Sequence, residues 1–181
     1  MHLIEIYALT CGLKIDRPFI HTEEVPLPSG KYITFHGDCA KGNSRSYDHW
    51  NIVIDGIKDL GYEIVRLGTD PIDVVNPALN ESYCKSLNLF ETSFVIKNTS
   101  LHLGYDSSLV HIASALSKKI VALYSSYSQH SRPYFSNEED IRLHEPDWNV
   151  HLPSYGYQEE EPLINLIPPE KVIQSVKGLL L

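Results

Sequence analysis

From Tyr32 onward, short apolar runs alternate with segments whose apolar residues recur at helical spacing. The runs "YITFH" (Tyr32 to His36), "YEIVRLG" (Tyr62 to Gly68), "SLHLGY" (Ser100 to Tyr105) and "KIVALYS" (Lys119 to Ser125) read as buried strands. Between the first two, Trp50, Val53, Ile54, Ile57 and Leu60 share one face of a predicted helix, with Gly61 as its expected C-terminal cap. "LFETSFVIKN" (Leu89 to Asn98) predicts a short helix, and Ser107 to about Ser117 another. Strands alternating with helices in this way predict an α/β domain, a parallel sheet with helices on both faces.

The two ends differ from this middle. The first twelve residues place Ile4, Tyr7, Ala8 and Cys11 on one helical face, and "DRPFIHTEEVPLPSG" (Asp16 to Gly30) then breaks the pattern with prolines. Residues 1–30 are expected to be a helix and linker left from a preceding domain, and residues 31–181 the folded unit. Beyond Ser126 the chain is loop-rich, with a candidate strand at "DIRLHE" and an acidic turn at "QEEEP" that reads as solvated surface. "PPEKVIQSVKGLLL" closes it as a helix, with Pro169 in the first turn and Val172, Ile173, Val176, Leu179 and Leu180 along one stripe.

Composition narrows the function. The 181 residues are 43% hydrophobic, enough for a real core, and carry a formal charge of -8 without any dense Lys/Arg block. A nucleic-acid surface is therefore not expected, because it needs a basic face to neutralise phosphates. A small phosphorylated ligand needs only one or two cations and some backbone N–H groups. No apolar run approaches the roughly 20 residues of a membrane span, and the N-terminus lacks the pattern of a signal peptide. Cys11, Cys39 and Cys84 are scattered and odd in number, as expected of reduced thiols in a cytoplasmic protein. The nine histidines show no His-x3-His pair, and neither a metal nor a bound cofactor is expected.

In open parallel sheets, ligands bind beyond the carboxyl ends of the strands. Three loops lie there. In "GYDSSLVH", Gly104 lets the backbone turn closely, while Asp106, Ser107 and Ser108 open a helix whose free N–H groups and dipole suit an anion. The same residues also fit a simple helix cap. In "HGDCAKGNSRSY", Lys41, Ser44, Arg45 and Ser46 can supply cation and hydroxyls to a diphosphate, or be ordinary loop residues. In "GTDPID", Asp70 is placed to accept hydrogen bonds from a ribose or to cap a turn before Pro71. His111, one turn into the helix, can meet a phosphate or sugar hydroxyl or pack on the sheet. Tyr124 to Tyr127 can line the same cleft or serve as packing. No Asp-x-Asp motif is present to hold a metal-bridged diphosphate.

"LGYDSSLVHIASALSKKIVALYSS" resembles the G-x-D-S/T-G-x-x-H-x-A-x-A-L signature of heptosyltransferase-like glycosyltransferases, family 9 with the GT-B fold. "NSRSYDHWNIVIDGIKDLGYEIVRLGTD" resembles the start of their C-terminal, donor-binding half, "IPPEKVIQSVKGLL" its closing helix, and "MHLIEIYALTCGLKID" the last helix of their N-terminal domain. The resemblance implies a Rossmann-like domain of the GT-B C-terminal type. Its members transfer a sugar, often heptose, from a nucleotide-sugar with inversion and without a required metal. Asp106, Ser107, Ser108 and His111 would then meet the donor's diphosphate and sugar, Arg45 with Ser44 (or Lys41) would supply the cation, and Asp70 would lie near the nucleoside. Ser108 departs from the family by standing where glycine is usual, and "NPALNESYCKSLNLFETSF" matches poorly, leaving the base open. The acceptor site and catalytic base are expected on an N-terminal domain. The chain is thus expected to be a donor-binding half that is incomplete alone: a fragment, a half completed by a partner chain or homo-oligomer, or else a non-catalytic nucleotide-binding or sequestering module.

Overall fold

The computed structural model describes residues 1–38, 44–68, 75–151 and 162–181. Six strands form one sheet: β1 (Tyr32–His36), β2 (Glu63–Arg66), β3 (Leu79–Asn80), β4 (His102–Tyr105), β5 (Ile120–Leu123) and β6 (Ile141–His144). Their order is β3-β2-β1-β4-β5-β6, and every neighbouring pair is parallel. This is a Rossmann-like sheet. The chain winds outward from β1 through β2 to β3, then returns to place β4 on the other side of β1. The strand order reverses between β1 and β4, where Thr34 pairs with His102, Phe35 with Leu103 and His36 with Gly104.

Helices cover both faces, as the solid apolar runs require. Strand side chains alternate, so Ile33, Phe35, Leu101 and Leu103 point to one side with α2 (Trp50–Ile57) and α5 (Pro169–Leu180). Val65, Ile120, Ala122 and Tyr124 point to the other with α3 (Leu89–Asn98) and α4 (Ser108–Ala115). Each fully buried aliphatic or aromatic side chain in these layers contributes about 1.5–3 kcal/mol. Asn88 starts α3 through a capping box with Glu91, satisfying N–H groups that a helix start leaves unpaired.

Some boundaries differ from the sequence reading. α2 ends at Ile57 with Lys58 as its C-cap, and Gly61, at φ 79°, instead makes the turn into β2. β3 has only two residues and no apolar run to announce it. Most of the acidic turn at "QEEEP" lies outside the described residues.

The N-terminal helix α1 (Leu3–Cys11) buries none of its residues fully. Ile4 and Ala8 of its expected face are half-buried, while Tyr7 and Cys11 are exposed. It rests on the loop after β5: His2 Nε2 lies 2.8 Å from the Arg132 carbonyl, and Tyr134 donates to Glu5 at 3.3 Å. Arg17 then donates to the carbonyls of Ser114 and Ala115 at the C-terminal end of α4, and to that of Phe135. Among the described residues, no helix is long and apolar enough to cross a membrane.

Candidate functional site

The carboxyl ends of β1 and β4 bring together most of the residues singled out above. β4 ends at Tyr105, and Asp106, Ser107 and Ser108 carry the chain into α4. The Asp106 carboxylate, mostly buried, lies 3.6 Å from Arg45 Nη2 and 3.7 Å from His111 Nε2. Arg45 and His111 are each half-exposed and flank it from opposite elements: the loop after β1 and the first turn of α4. Ser44 is buried, and its hydroxyl accepts from that of Ser125, beyond β5, at 3.5 Å. Ser108, at the first helical position, is exposed.

Ser107 occupies the N-cap of α4 but makes no side-chain cap hydrogen bond. Its Oγ lies 3.2 Å from His36 Nδ1, at the end of β1. Gly104 is a strand residue with no special φ; its lack of a side chain serves close approach instead of a turn. A Cβ there would lie 2.8 Å from the His36 carbonyl oxygen.

A second polar group sits beside this one. Arg66, the last residue of β2, is fully buried and pairs with Asp38, in the loop after β1, and with Glu81, after β3, at 3.0 Å. Tyr105 donates to the Asp38 carbonyl. A side chain at Gly68, whose φ is 148°, would overlap the Asp38 carboxylate. Burial and the Arg66 charge push the His36 imidazole down to about 4. Burial, then His36, push His102 down to about 3. Both rings are therefore neutral at neutral pH. His102 Nδ1 meets Thr34 Oγ1 at 3.0 Å.

Ser44, Arg45, Gly104, Asp106, Ser107, Ser108 and His111 thus lie around the point where the strand order reverses. Lys41 and Asp70 lie outside the described residues. Tyr124 does not line a cleft: it is fully buried in the α3/α4 core layer, because its side chain continues the inward alternation of Ile120 and Ala122. Tyr127 packs its ring 5.3 Å from Trp148. Sequence reasoning passed over His36, Asp38 and Arg66. Arg66 carried a signal, since a charge inside a buried apolar run requires a partner. Chemically, the mouth of α4 offers a helix start that Ser107 does not cap, a nearby guanidinium and exposed hydroxyl and imidazole groups, which suit an anion. The Asp106 carboxylate can accept from hydroxyl groups.

The family model of glycosyltransferase family 9 (heptosyltransferase) matches residues 9–155. No curated protein sequence matches the chain. Among solved structures, the E. coli ADP-heptose LPS heptosyltransferase II is similar over 97% of this chain and 50% of its own, with 18% identity and a TM-score of 0.63. E. coli heptosyltransferase WaaC with ADP is similar over 97% of this chain and 54% of its own, at 13% identity and a TM-score of 0.59. The dodecameric iron-containing heptosyltransferase TibC from enterotoxigenic E. coli, in complex with ADP-D-β-D-heptose, covers 87% of this chain with 48% of its own, at 14% identity and a TM-score of 0.61. The chain spans about half the length of these relatives. The family match covers most of the chain, and the Rossmann-like sheet agrees with half of these heptosyltransferases: the chain belongs to glycosyltransferase family 9.

Proposed function

We propose that the chain is the donor-binding half of a GT-B glycosyltransferase, holding a nucleoside-diphosphate sugar for inverting, metal-independent transfer in the cytoplasm. The observation that carries this reading is Asp106 flanked by Arg45 and His111 at the uncapped start of α4. A diphosphate there meets backbone N–H groups and a guanidinium, so charge developing on the leaving group is met without a metal. Asp106 and His111 are left to meet sugar hydroxyls. The residues of this site supply binding and leaving-group stabilisation; an acceptor site and a general base are assigned to a second domain or a partner chain. WaaC bound to ADP and TibC bound to ADP-D-β-D-heptose make adenine nucleotides the first donors to try.

Calorimetric titration with ADP, GDP, UDP and their sugars tests the reading. One of these diphosphates is expected to bind, and to bind more weakly to Arg45→Ala. No heat from any of them overturns the proposal. Binding without sugar release, in the presence of acceptor and a family N-terminal half, would reduce the chain to a nucleotide-binding module.

A further inference from the structure

The serine that begins α4 is held away from the helix it begins. Ser107 has φ -150° and ψ 170°, the extended backbone from which an N-cap hydroxyl reaches the N–H of the second or third helical residue. Those are Leu109 and Val110. The hydroxyl caps neither and lies instead against His36 Nδ1, across the reversal point of the sheet. His36 is itself tightly placed. It pairs with Gly104 in the strand register, its backbone sits against the bare Cα of that glycine, and its ring lies 5.1 Å from the Tyr105 ring at 30°. Its neutral imidazole has one protonated and one bare nitrogen, and a hydroxyl can serve either.

We propose that His36 is a positioning residue for the diphosphate seat: by holding the Ser107 hydroxyl, it leaves the first-turn N–H groups of α4 open to an anion. This rests on the reading of that helix start as the diphosphate site. The competition is direct, because a capping serine consumes the same unpaired N–H groups that a phosphate oxygen would take. Without His36, rotation about a single side-chain torsion turns the hydroxyl onto the Leu109 or Val110 amide and occupies the seat from within. Ser107 is then a cap held in reserve, and the sheet, through His36, decides that it stays unused.

The test combines His36→Leu, which removes the partner at similar volume, His36→Asn, which returns a polar atom near the Nδ1 position, and Ser107→Ala. In the ligand-free protein, the Leu109 and Val110 amide resonances are expected to move in His36→Leu, but not in His36→Asn or when His36→Leu is added to Ser107→Ala. Unmoved amides in His36→Leu overturn the proposal. With ADP as probe, affinity is expected to fall about tenfold in His36→Leu and to stay within about twofold of the parent in His36→Asn. In the Ser107→Ala background, His36→Leu should have no further effect. An equal loss in that background means that His36 acts by packing and not through Ser107, and the proposal fails. If His36→Leu does not fold, the imidazole 15N spectrum of the parent against Ser107→Ala carries the test, and an Nδ1 resonance indifferent to the hydroxyl overturns it. A parent protein that binds no nucleoside diphosphate while the amides still move sinks the functional reading but supports the hold of His36 on Ser107.

Discussion

Gly104 and His36 meet backbone to backbone: a Cβ on the glycine would lie 2.8 Å from the histidine's carbonyl oxygen. A carbonyl in a sheet cannot rotate aside as a side chain can, so Gly104→Ala forces β1 and β4 apart at the reversal point. The expected cost is about 1–3 kcal/mol of folding stability, read from urea unfolding. The same displacement separates His36 from Ser107, so nucleotide affinity should fall as well. A variant as stable as the parent would show that the two strands have slack.

Arg66 should matter far more than its partner Glu81. The Arg66 side chain is fully buried and Asp38 nearly so, whereas Glu81 is 45% exposed. Arg66→Ala breaks a buried ion pair by removing the guanidinium beside the Asp38 carboxylate, an expected loss of about 3–5 kcal/mol. Glu81→Ala removes a screened pair and is expected to cost about 0–1 kcal/mol. Chemical denaturation of both variants checks the order, and equal losses would contradict it.

Much of the layered fold was legible because parallel strands covered on both faces must be apolar throughout, and their covering helices carry wide stripes. β1 was bounded from such a pattern alone, and the span of α3 agrees with the expected short helix although only Ser93, Val95 and Ile96 of it are buried. β3 was not, because two residues at a sheet edge bury too little to leave a pattern. Gly61 misleads as a helix end, since a left-handed glycine looks the same in sequence whether it closes a helix or turns into a strand. The mouth of α4 was legible from Asp-Ser-Ser after a strand. Its internal logic was not, because Ser107 and His36 are 71 positions apart and only the strand order brings them together.

Two buried histidines make stability depend on pH. His36 and His102 sit at about 4 and about 3, chiefly through burial, against an ordinary value of 6.5. The unfolded chain therefore binds protons that the folded chain refuses. Their stabilising contribution is complete above about pH 6.5 and is lost as pH falls toward the folded values. Each contributes a slope of up to about 1.4 kcal/mol per pH unit in that window. Urea unfolding at pH 7.5, 6 and 5 should show the loss, with roughly half the slope remaining in His102→Asn. A slope unchanged in that variant would assign the acid sensitivity to other groups.

Arg45 and Asp106 should separate in their effects on donor and nucleotide. Their pair, at 3.6 Å with Arg45 46% exposed, is screened and worth about 0–1 kcal/mol to the fold. Arg45→Ala should therefore melt close to the parent. Its affinity for the diphosphate should nevertheless fall about 10- to 100-fold, the value of a charge-assisted hydrogen bond, while any binding of adenosine stays unchanged. Asp106→Asn removes a negative charge from beside the phosphates, so bare ADP should bind as well or better. The same change weakens an acceptor for sugar hydroxyls, so an ADP-sugar should bind less well. Opposite signs for ADP and its sugar would assign Arg45 to the diphosphate and Asp106 to the sugar. Parallel losses would mean instead that Asp106 serves only to hold Arg45 in place, because removing either member of the pair would then damage the same contact.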